Sequence, residues 1–390
     1  MSRGAANEDA GRPLWLLGTM PAAPYVNMAS ERSNHVDAPA VLATATALPE
    51  NRYQQNDLVD LALEVIPDIQ VDRDVLRKFF VRVGVDERFL ALPANQYHEM
   101  QGMEARSHAW LEVASELGEK ALLSLFQSAD VAPQDVGELM TTTVTGVAVP
   151  TLDARLMNRI PFASDLKRVP SFGLGCVGGA AGVARVADYL QGHRDELAVL
   201  LSVELCSLTV QQDDLSIANL ISMGLFGDGA AAVLLAGPDH PRAKDAKPRV
   251  LDSRSVFFPH TEEMMGWDII DSGFKVVLSP EVPELAREAL PDAVDGFLGD
   301  HGLVRDDIQA WVTHPGGPKI IDAVEEGLDL HDGELEPARQ GLAHVGNLSS
   351  ASVLFLLDDY RRRLAPPDDA YGLMVAMGPA FCAELVLLQW

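Results

Sequence analysis

Two distant stretches of this chain read alike, and that constrains its fold more than any other feature. Gly175-Cys176-Val177-Gly178-Gly179-Ala180-Ala181 aligns with Gly346-Asn347-Leu348-Ser349-Ser350-Ala351-Ser352. Carrying the register on, Asp188-Tyr189 falls on Asp359-Tyr360 with no gap. The order of elements before each stretch also matches. A helix over 109–128, the Val131–Val136 turn and a Thr-rich strand from Glu138 to Gly146 come first. A helix over 283–298, the Gly302–Ile308 turn and the strand Ala310-Trp311-Val312-Thr313 echo them. An internal duplication accounts for both the identities and the order. It implies two halves, 39–238 and 245–390, either side of the polar stretch Gly237–Lys244, with residues 1–38 as a loose N-terminal arm. Halves packed as pseudo-twofold mates would put Cys176 and Asn347 at related helix starts facing one crevice.

Within the halves, short apolar runs alternate with helical periodicity. Strands are expected over Ala40–Ala47 (broken by Pro49-Glu50-Asn51), 168–175, Leu197–Leu205 and Ala231–Leu235. Helices are expected through Leu58, Leu61 and Val65, over 151–160, and after Cys176 through Val183, Val186, Ala187 and Leu190. This alternation predicts an α/β fold, a mixed or parallel sheet with helices on both faces. A chain of 390 residues, 47% of them hydrophobic, can bury a large core. No apolar run approaches the length of a membrane span. The run Trp15-Leu16-Leu17 is too short for a secretory signal. A cytoplasmic protein is therefore expected, with Cys176, Cys206 and Cys382 as free thiols and no metal-ligand spacing.

The formal charge of −27 argues against nucleic acid and anionic membranes as partners. It also makes Arg77-Lys78-Phe79-Phe80-Val81-Arg82 stand out. That run fits a solvated helix face over two core phenylalanines, and it equally fits a site for an anionic substrate.

Three residues carry the candidate chemistry. Cys176 sits among glycines where a strand turns into a helix, so free N–H groups would favour its thiolate. A buried free cysteine fits the same stretch. His314 ends a strand and is followed by the rigid Pro315-Gly316-Gly317-Pro318, although a histidine at a strand end is often only structural. Asn347 could be a helix N-cap. Together, thiol, imidazole and amide suit acyl transfer through a thioester. The imidazole would stabilise the thiolate as an ion pair, and the two N–H groups would hold a thioester oxygen as it gains charge.

At these residues the chain resembles the type III polyketide synthases, the chalcone-synthase-like branch of the thiolase fold. The resemblance runs from about Ala40 to the C-terminus. It rests on the cysteine turn, Leu225-Phe226-Gly227-Asp228-Gly229, the His314-Pro315-Gly316-Gly317-Pro318 turn, Gly346-Asn347-Leu348-Ser349-Ser350 and Met377-Gly378-Pro379-Ala380. It implies a homodimer of five-layered αβαβα subunits acting on acyl-CoA and malonyl-CoA, with no cofactor beyond these coenzyme A thioesters. By the same resemblance Cys176 is the nucleophile, His314 its partner, and Asn347 orients the malonyl thioester. Phe226 would gate the passage from the CoA tunnel to the cavity. Lys78 and Arg82, with Arg77 beside them, would meet CoA phosphate.

Departures from the plant enzymes bear on substrate choice. Val276 falls where they carry a second gating phenylalanine, and their Gly-Phe-Gly-Pro-Gly loop is here Ala376-Met377-Gly378-Pro379-Ala380. Cys206 and Thr209 follow Glu204 at cavity positions, with Gly266, Trp267 and Ser349 also placed at the cavity. Loss of aromatic bulk favours a long apolar tunnel, since each buried methylene contributes roughly 0.8 kcal/mol. Glu204–Thr209 and Met265-Gly266-Trp267-Asp268 look like those of bacterial members that make alkylresorcinols or alkylpyrones from fatty acyl starters. Cys206 also fits a small packing residue. Two alternatives stand beside this reading: a tetrahydroxynaphthalene synthase using malonyl-CoA alone, and a ketoacyl synthase III of fatty acid synthesis. The latter has its histidine in a different turn and takes its extender from an acidic carrier protein, which this acidic chain suits poorly.

Overall fold

The computed structural model describes residues 37–65 and 72–390. The expected arm, 1–38, lies outside the described residues except for Asp37 and Ala38. The first half runs β1 (Ala40–Ala47), β2 (Asn51–Gln54), α1 (Gln55–Val65), α2 (Arg73–Arg82), β3 (Glu87–Leu90), α3 (Gly102–Ala129), β4 (Val136–Thr143), α4 (Leu152–Leu156) and β5 (Lys167–Phe172). It continues through α5 (Gly178–Gly192), β6 (Leu197–Leu205), α6 (Ile217–Leu225) and β7 (Asp228–Ala236). The second half begins with β8 (Arg249–Phe257), β9 (Met265–Ile270), β10 (Gly273–Leu278), α7 (Val282–Asp300) and β11 (Ile308–Thr313). It ends with α8 (Pro318–Gly327), α9 (Glu336–Val345), α10 (Ser352–Asp359), β12 (Tyr371–Gly378) and β13 (Cys382–Gln389).

Nine strands hydrogen-bond in the order β11-β12-β13-β8-β1-β7-β6-β4-β5. The duplication read from the sequence reappears in their directions. In the first half β1 and β7 are antiparallel, β7 and β6 antiparallel, β6 and β4 parallel. In the second, β8 and β13 are antiparallel, β13 and β12 antiparallel, β12 and β11 parallel. A single register pair, Ala40 with Arg249, joins the two sets.

The period of two along each strand sorts side chains into layers. On β6, Leu197, Val199, Leu201, Val203 and Leu205 face the cluster containing α3, whereas Ala198 and Leu200 face the cluster containing α5 and α10. On β12, Met374 and Ala376 turn to α5 and α10, while Leu373, Val375 and Met377 turn to α7 and α8. The result is helix, sheet, helix, sheet, helix: the five-layered αβαβα arrangement expected. The middle layer is thin because its helices carry small residues. A Cβ on Gly179 would meet the Ser350 carbonyl oxygen at 2.2 Å, and one on Gly182 would meet Leu200 at 2.4 Å.

Several boundaries differ from expectation for local reasons. The cysteine does not open an α-helix. Gly175–Val177 form a 3-10 turn, and α5 begins at Gly178. The expected helix 151–160 is only Leu152–Leu156. The two-stranded sheet β2–β3, whose strands are separated by α1 and α2, and the hairpin β9–β10 lie outside the main sheet and escape the alternation pattern.

Candidate active site

Cys176 reaches its position because Gly175, at φ +56°, turns the chain against Pro379, where a Cβ would meet Pro379 Cδ at 2.5 Å. Only glycine fits there. The Cys176 thiol donates to Ser349 Oγ at 3.7 Å. Ser349 follows directly on the Asn347-Leu348 pair, and its own N–H donates to Asn347 Oδ1 at 2.8 Å. Asn347 Nδ2 in turn donates to Gly316 O at 3.2 Å, within the turn after His314. That turn is anchored by His314 N–H to Val375 O at 2.8 Å and Gly316 N–H to His314 O at 2.9 Å. Thiol, amide and imidazole turn are thus tied together by the two equivalent turns, as the duplication implied.

The electrostatics differ from the expected ion pair. Cys176 keeps some solvent access, but the surrounding protein pushes its thiol up to about 12, the Ser349 contact opposing the rise. Burial pushes the His314 imidazole down to about 4. Neither His314 nitrogen has a hydrogen-bond partner, and the residue is 3% exposed. Both shifts favour the neutral thiol and imidazole over the expected ion pair. The helix-start effect expected to favour thiolate is outweighed by desolvation. A buried imidazole with both nitrogens idle costs on the order of 1–3 kcal/mol unless something supplies a partner.

Phe226 is fixed by its backbone. Asn347 N–H donates to Leu225 O at 2.9 Å, Gly227 N–H to Asn347 O at 3.0 Å, and Arg88 Nη1 to Phe226 O at 2.9 Å. Its ring meets Trp267 at 6.3 Å between centroids. Trp267 pairs across the β9–β10 hairpin with Val276, and Gly266 with Val277, so these expected cavity residues share one flap. Cys206 and Phe226 line a common cavity of about 50 Å³ with Leu58, Phe80, Ser207 and Ser222. Thr209 instead donates its hydroxyl to Cys206 O at 2.7 Å, closing the turn. Arg77, Lys78 and Arg82 are exposed on α2. Arg77 donates to Asn56 at 3.3 Å, while Lys78 and Arg82 have no protein partner among the described residues. The end of α2 touches the imidazole turn, since a Cβ on Gly84 would lie 3.0 Å from Pro318. Phe80 is core, and of the basic side chains around it only Arg77 has a protein partner among the described residues.

Sequence reasoning missed the buried acid behind the cysteine. Glu204 accepts from Ser350 Oγ on one oxygen, and on the other from Val144 N–H at 3.1 Å and from the hydroxyls of Thr145 at 2.8 Å and Thr143 at 3.2 Å. Burial raises its pKa against those bonds. A lone acid at the end of the apolar run Leu197–Leu205 was the available signal. Ser222 and Arg88 left no comparable mark.

Comparison with known proteins agrees with this geometry. Residues 49–252 match the FAE1/type III polyketide synthase-like family, and 250–390 match the C-terminal domain of chalcone and stilbene synthases. A 1,3,6,8-tetrahydroxynaphthalene synthase of Streptomyces peucetius is 48% identical over 92% of this chain and 96% of its own length. A putative chalcone synthase of Bacillus subtilis is 35% identical over 90% and 98%. The crystal structure of the Streptomyces coelicolor 1,3,6,8-tetrahydroxynaphthalene synthase superposes with a TM-score of 0.83 at 26% identity, covering 90% of this chain and 99% of that one. With its thiolase-like layers and its linked cysteine, asparagine and histidine turns, this chain belongs to the type III polyketide synthases and is a decarboxylating, condensing acyltransferase.

Proposed function

We propose that the enzyme builds a polyhydroxylated aromatic product from malonyl-CoA alone, acting as a tetrahydroxynaphthalene synthase rather than as a fatty-acyl-primed alkylpyrone or alkylresorcinol former. The observation that carries this reading is the 48% identity, over nearly the whole chain, to a relative of that name. The lining of the cavity beside Cys206 and Phe226 supports it: Arg88, Tyr97, Ser207 and Ser222 stand there beside the apolar residues, which suits an oxygenated chain better than an alkyl tail.

In the proposed mechanism, Lys78 and Arg82 meet the CoA phosphates at the protein surface. Cys176 attacks the thioester carbonyl as its proton passes to His314, and coenzyme A leaves with that proton. A second malonyl thioester then places its carbonyl oxygen against Asn347 and His314. Loss of CO2 leaves an enolate held by their N–H groups. Its carbon attacks the acyl carbonyl on Cys176, and the carbon–sulfur bond to Cys176 breaks with the thiolate as leaving group. The chain, now two carbons longer and on coenzyme A, is passed back to Cys176 for the next round. Decarboxylation supplies the carbanion, so the step needs no resident cofactor. The ten ring carbons of the product correspond to five two-carbon units.

A second copy of the chain completes the proposed enzyme. The edge strand β5 pairs with β4 on one side, and Val169, Phe172 and the nearby Val149 are exposed at 40%, 45% and 96%. An exposed edge with apolar residues is suited to pairing with its symmetry mate. Free thiols and the absence of any described helix able to cross a membrane fit a cytoplasmic site of action.

The deciding experiment is product analysis by mass spectrometry with malonyl-CoA alone and with a ladder of acyl-CoA starters. Tetrahydroxynaphthalene from malonyl-CoA alone is the expected result. Turnover only when a long acyl-CoA is added would overturn the reading. Light scattering at micromolar concentration reads the oligomeric state.

A further inference from the structure

The cavity beside Phe226 and Cys206 is not uniformly apolar. Leu58 and Met223 form part of its wall, but Arg88, Tyr97, Ser207 and Ser222 also face it. Most of these polar groups are already engaged. The Tyr97 hydroxyl shares a proton with Ser207 Oγ at 2.5 Å, and Ser207 donates onward to Asp228 by both its hydroxyl and, at 2.8 Å, its N–H. Arg88 donates Nε–H to Gln55 Oε1 at 3.0 Å and Nη1–H to Phe226 O, and its other N–H groups have no protein partner. Ser222 differs from all of them. It is 8% exposed, it lines the cavity, and its hydroxyl has no hydrogen-bond partner.

An unpaired hydroxyl in such a place is costly unless a ligand satisfies it. Its position says what kind of ligand. Ser222 lies one turn before Phe226 on α6, with Phe226 N–H bonded to Ser222 O at 3.0 Å. Phe226 is bridged to Asn347, and Cys206 lies two residues beyond Glu204, the acid that holds Ser350 beside the cysteine's partner Ser349. The cavity therefore adjoins the Phe226–Asn347 bridge and the Cys206 turn, with Phe80 of α2 in its wall. An alkyl tail would leave the Ser222 hydroxyl and the idle Arg88 N–H groups unpaired. A chain with an oxygen on alternate carbons would satisfy them.

We propose that Ser222, with Arg88 beside it, is a specificity-determining residue that reads a keto or enolate oxygen on the growing oligo-β-ketoacyl chain. By holding one such oxygen, it keeps the chain extended and delays lactone release until elongation is complete. Which chain is bound rests on the malonyl-CoA reading above. The hydrogen-bond demand does not.

The test compares Ser222→Thr with Ser222→Val, two side chains of the same shape of which only threonine keeps the hydroxyl, with Ser222→Ala as the least intrusive deletion. Malonyl-CoA is the substrate, and two quantities are read: CO2 release, and the ratio of full-length aromatic product to shorter lactones. Loss of one hydrogen bond in a committed partition corresponds to about a 3- to 10-fold change. The expected result is a ratio lowered by that factor in Ser222→Ala and Ser222→Val and near wild type in Ser222→Thr, with CO2 release falling no further than the shorter chains require. Equal behaviour of Thr and Val, or a fall in CO2 release beyond that stoichiometry, overturns the proposal. If the wild-type enzyme needs an acyl-CoA starter, the functional reading has failed by itself. The same Thr–Val comparison on the longer and shorter products of that starter then decides the role of Ser222.

Discussion

The peptide groups of Phe226 and Asn347 form an isolated parallel bridge, made by Asn347 N–H to Leu225 O and Gly227 N–H to Asn347 O. Phe226, in the cavity wall, and Asn347 are therefore held together through main chain, with Arg88 Nη1 as a further donor to Phe226 O. The Asn347 side chain is left to bond Gly316 O and Ser349 N–H and to face the site.

This separation predicts the behaviour of Asn347→Ala. The bridge survives, so the fold and the Phe226 position are retained, while one donor to the developing enolate is lost. Removing such a donor costs on the order of 100-fold or more in rate. Malonyl-CoA decarboxylation, followed as CO2 release, should fall by that much, and starter loading, followed by intact mass, should fall far less. Equal loss of both steps would count against the assignment.

Cys176→Ala separates the same steps from the other side. The variant keeps His314 and Asn347 and loses only the nucleophile and its contact with Ser349. No acyl-enzyme should form with any acyl-CoA, while CO2 release from malonyl-CoA persists in part. An acylated variant seen by intact mass would sink the assignment of Cys176.

The layers were legible in the sequence because strands such as Leu197–Leu205 and Ala231–Leu235 are buried on both faces, and because the glycine–serine repeat marked the two equivalent turns. Cys176, His314 and Asn347 were legible for the same reason, each sitting where a buried run meets a backbone that cannot pack by itself. The charge state of the pair was not. It depends on how much protein surrounds Cys176 and His314, and no spacing encodes that. Ser222 was also invisible, since a serine in Ile217–Leu225 reads as helix filler until the cavity wall and the missing partner are seen. Thr209, placed at the cavity by motif position, donates its hydroxyl to Cys206 O within the turn, a bond that motif position does not announce.

Lys78 and Arg82 lie four residues apart on α2, exposed and without a partner among the described residues, on a chain whose net charge is −27. In that field a local pair of cations is the feature able to draw a phosphorylated substrate to this face. Replacing both with alanine should raise KM for malonyl-CoA about 10-fold or more and leave kcat within about twofold, because charge-assisted bonds to phosphate contribute to binding equally before and during the reaction. Added salt should weaken wild-type binding more than that of the variant. A fall in kcat with KM unchanged would place these residues elsewhere in the mechanism.

His314 makes a prediction about stability. Its imidazole is held neutral by burial, down to about 4 in the folded enzyme against an ordinary value of 6.5. Above pH 6.5 the histidine is neutral in both folded and unfolded chains, and the full stability is present. As pH falls from 6.5 toward 4, the unfolded chain takes up a proton that the folded chain refuses, so the folded state loses ground. The loss levels off below about pH 4, where the folded histidine protonates as well. A shift of this size corresponds to about 3 kcal/mol over that window. Urea unfolding of wild type and His314→Gln at pH 7 and pH 4.5 isolates it, because every other titrating group is common to the two proteins. The variant should lose less stability than wild type between these values, by about 2–3 kcal/mol. Identical losses would mean that the imidazole is solvated in the folded enzyme, and the cost assigned here to its two idle nitrogens would then not exist.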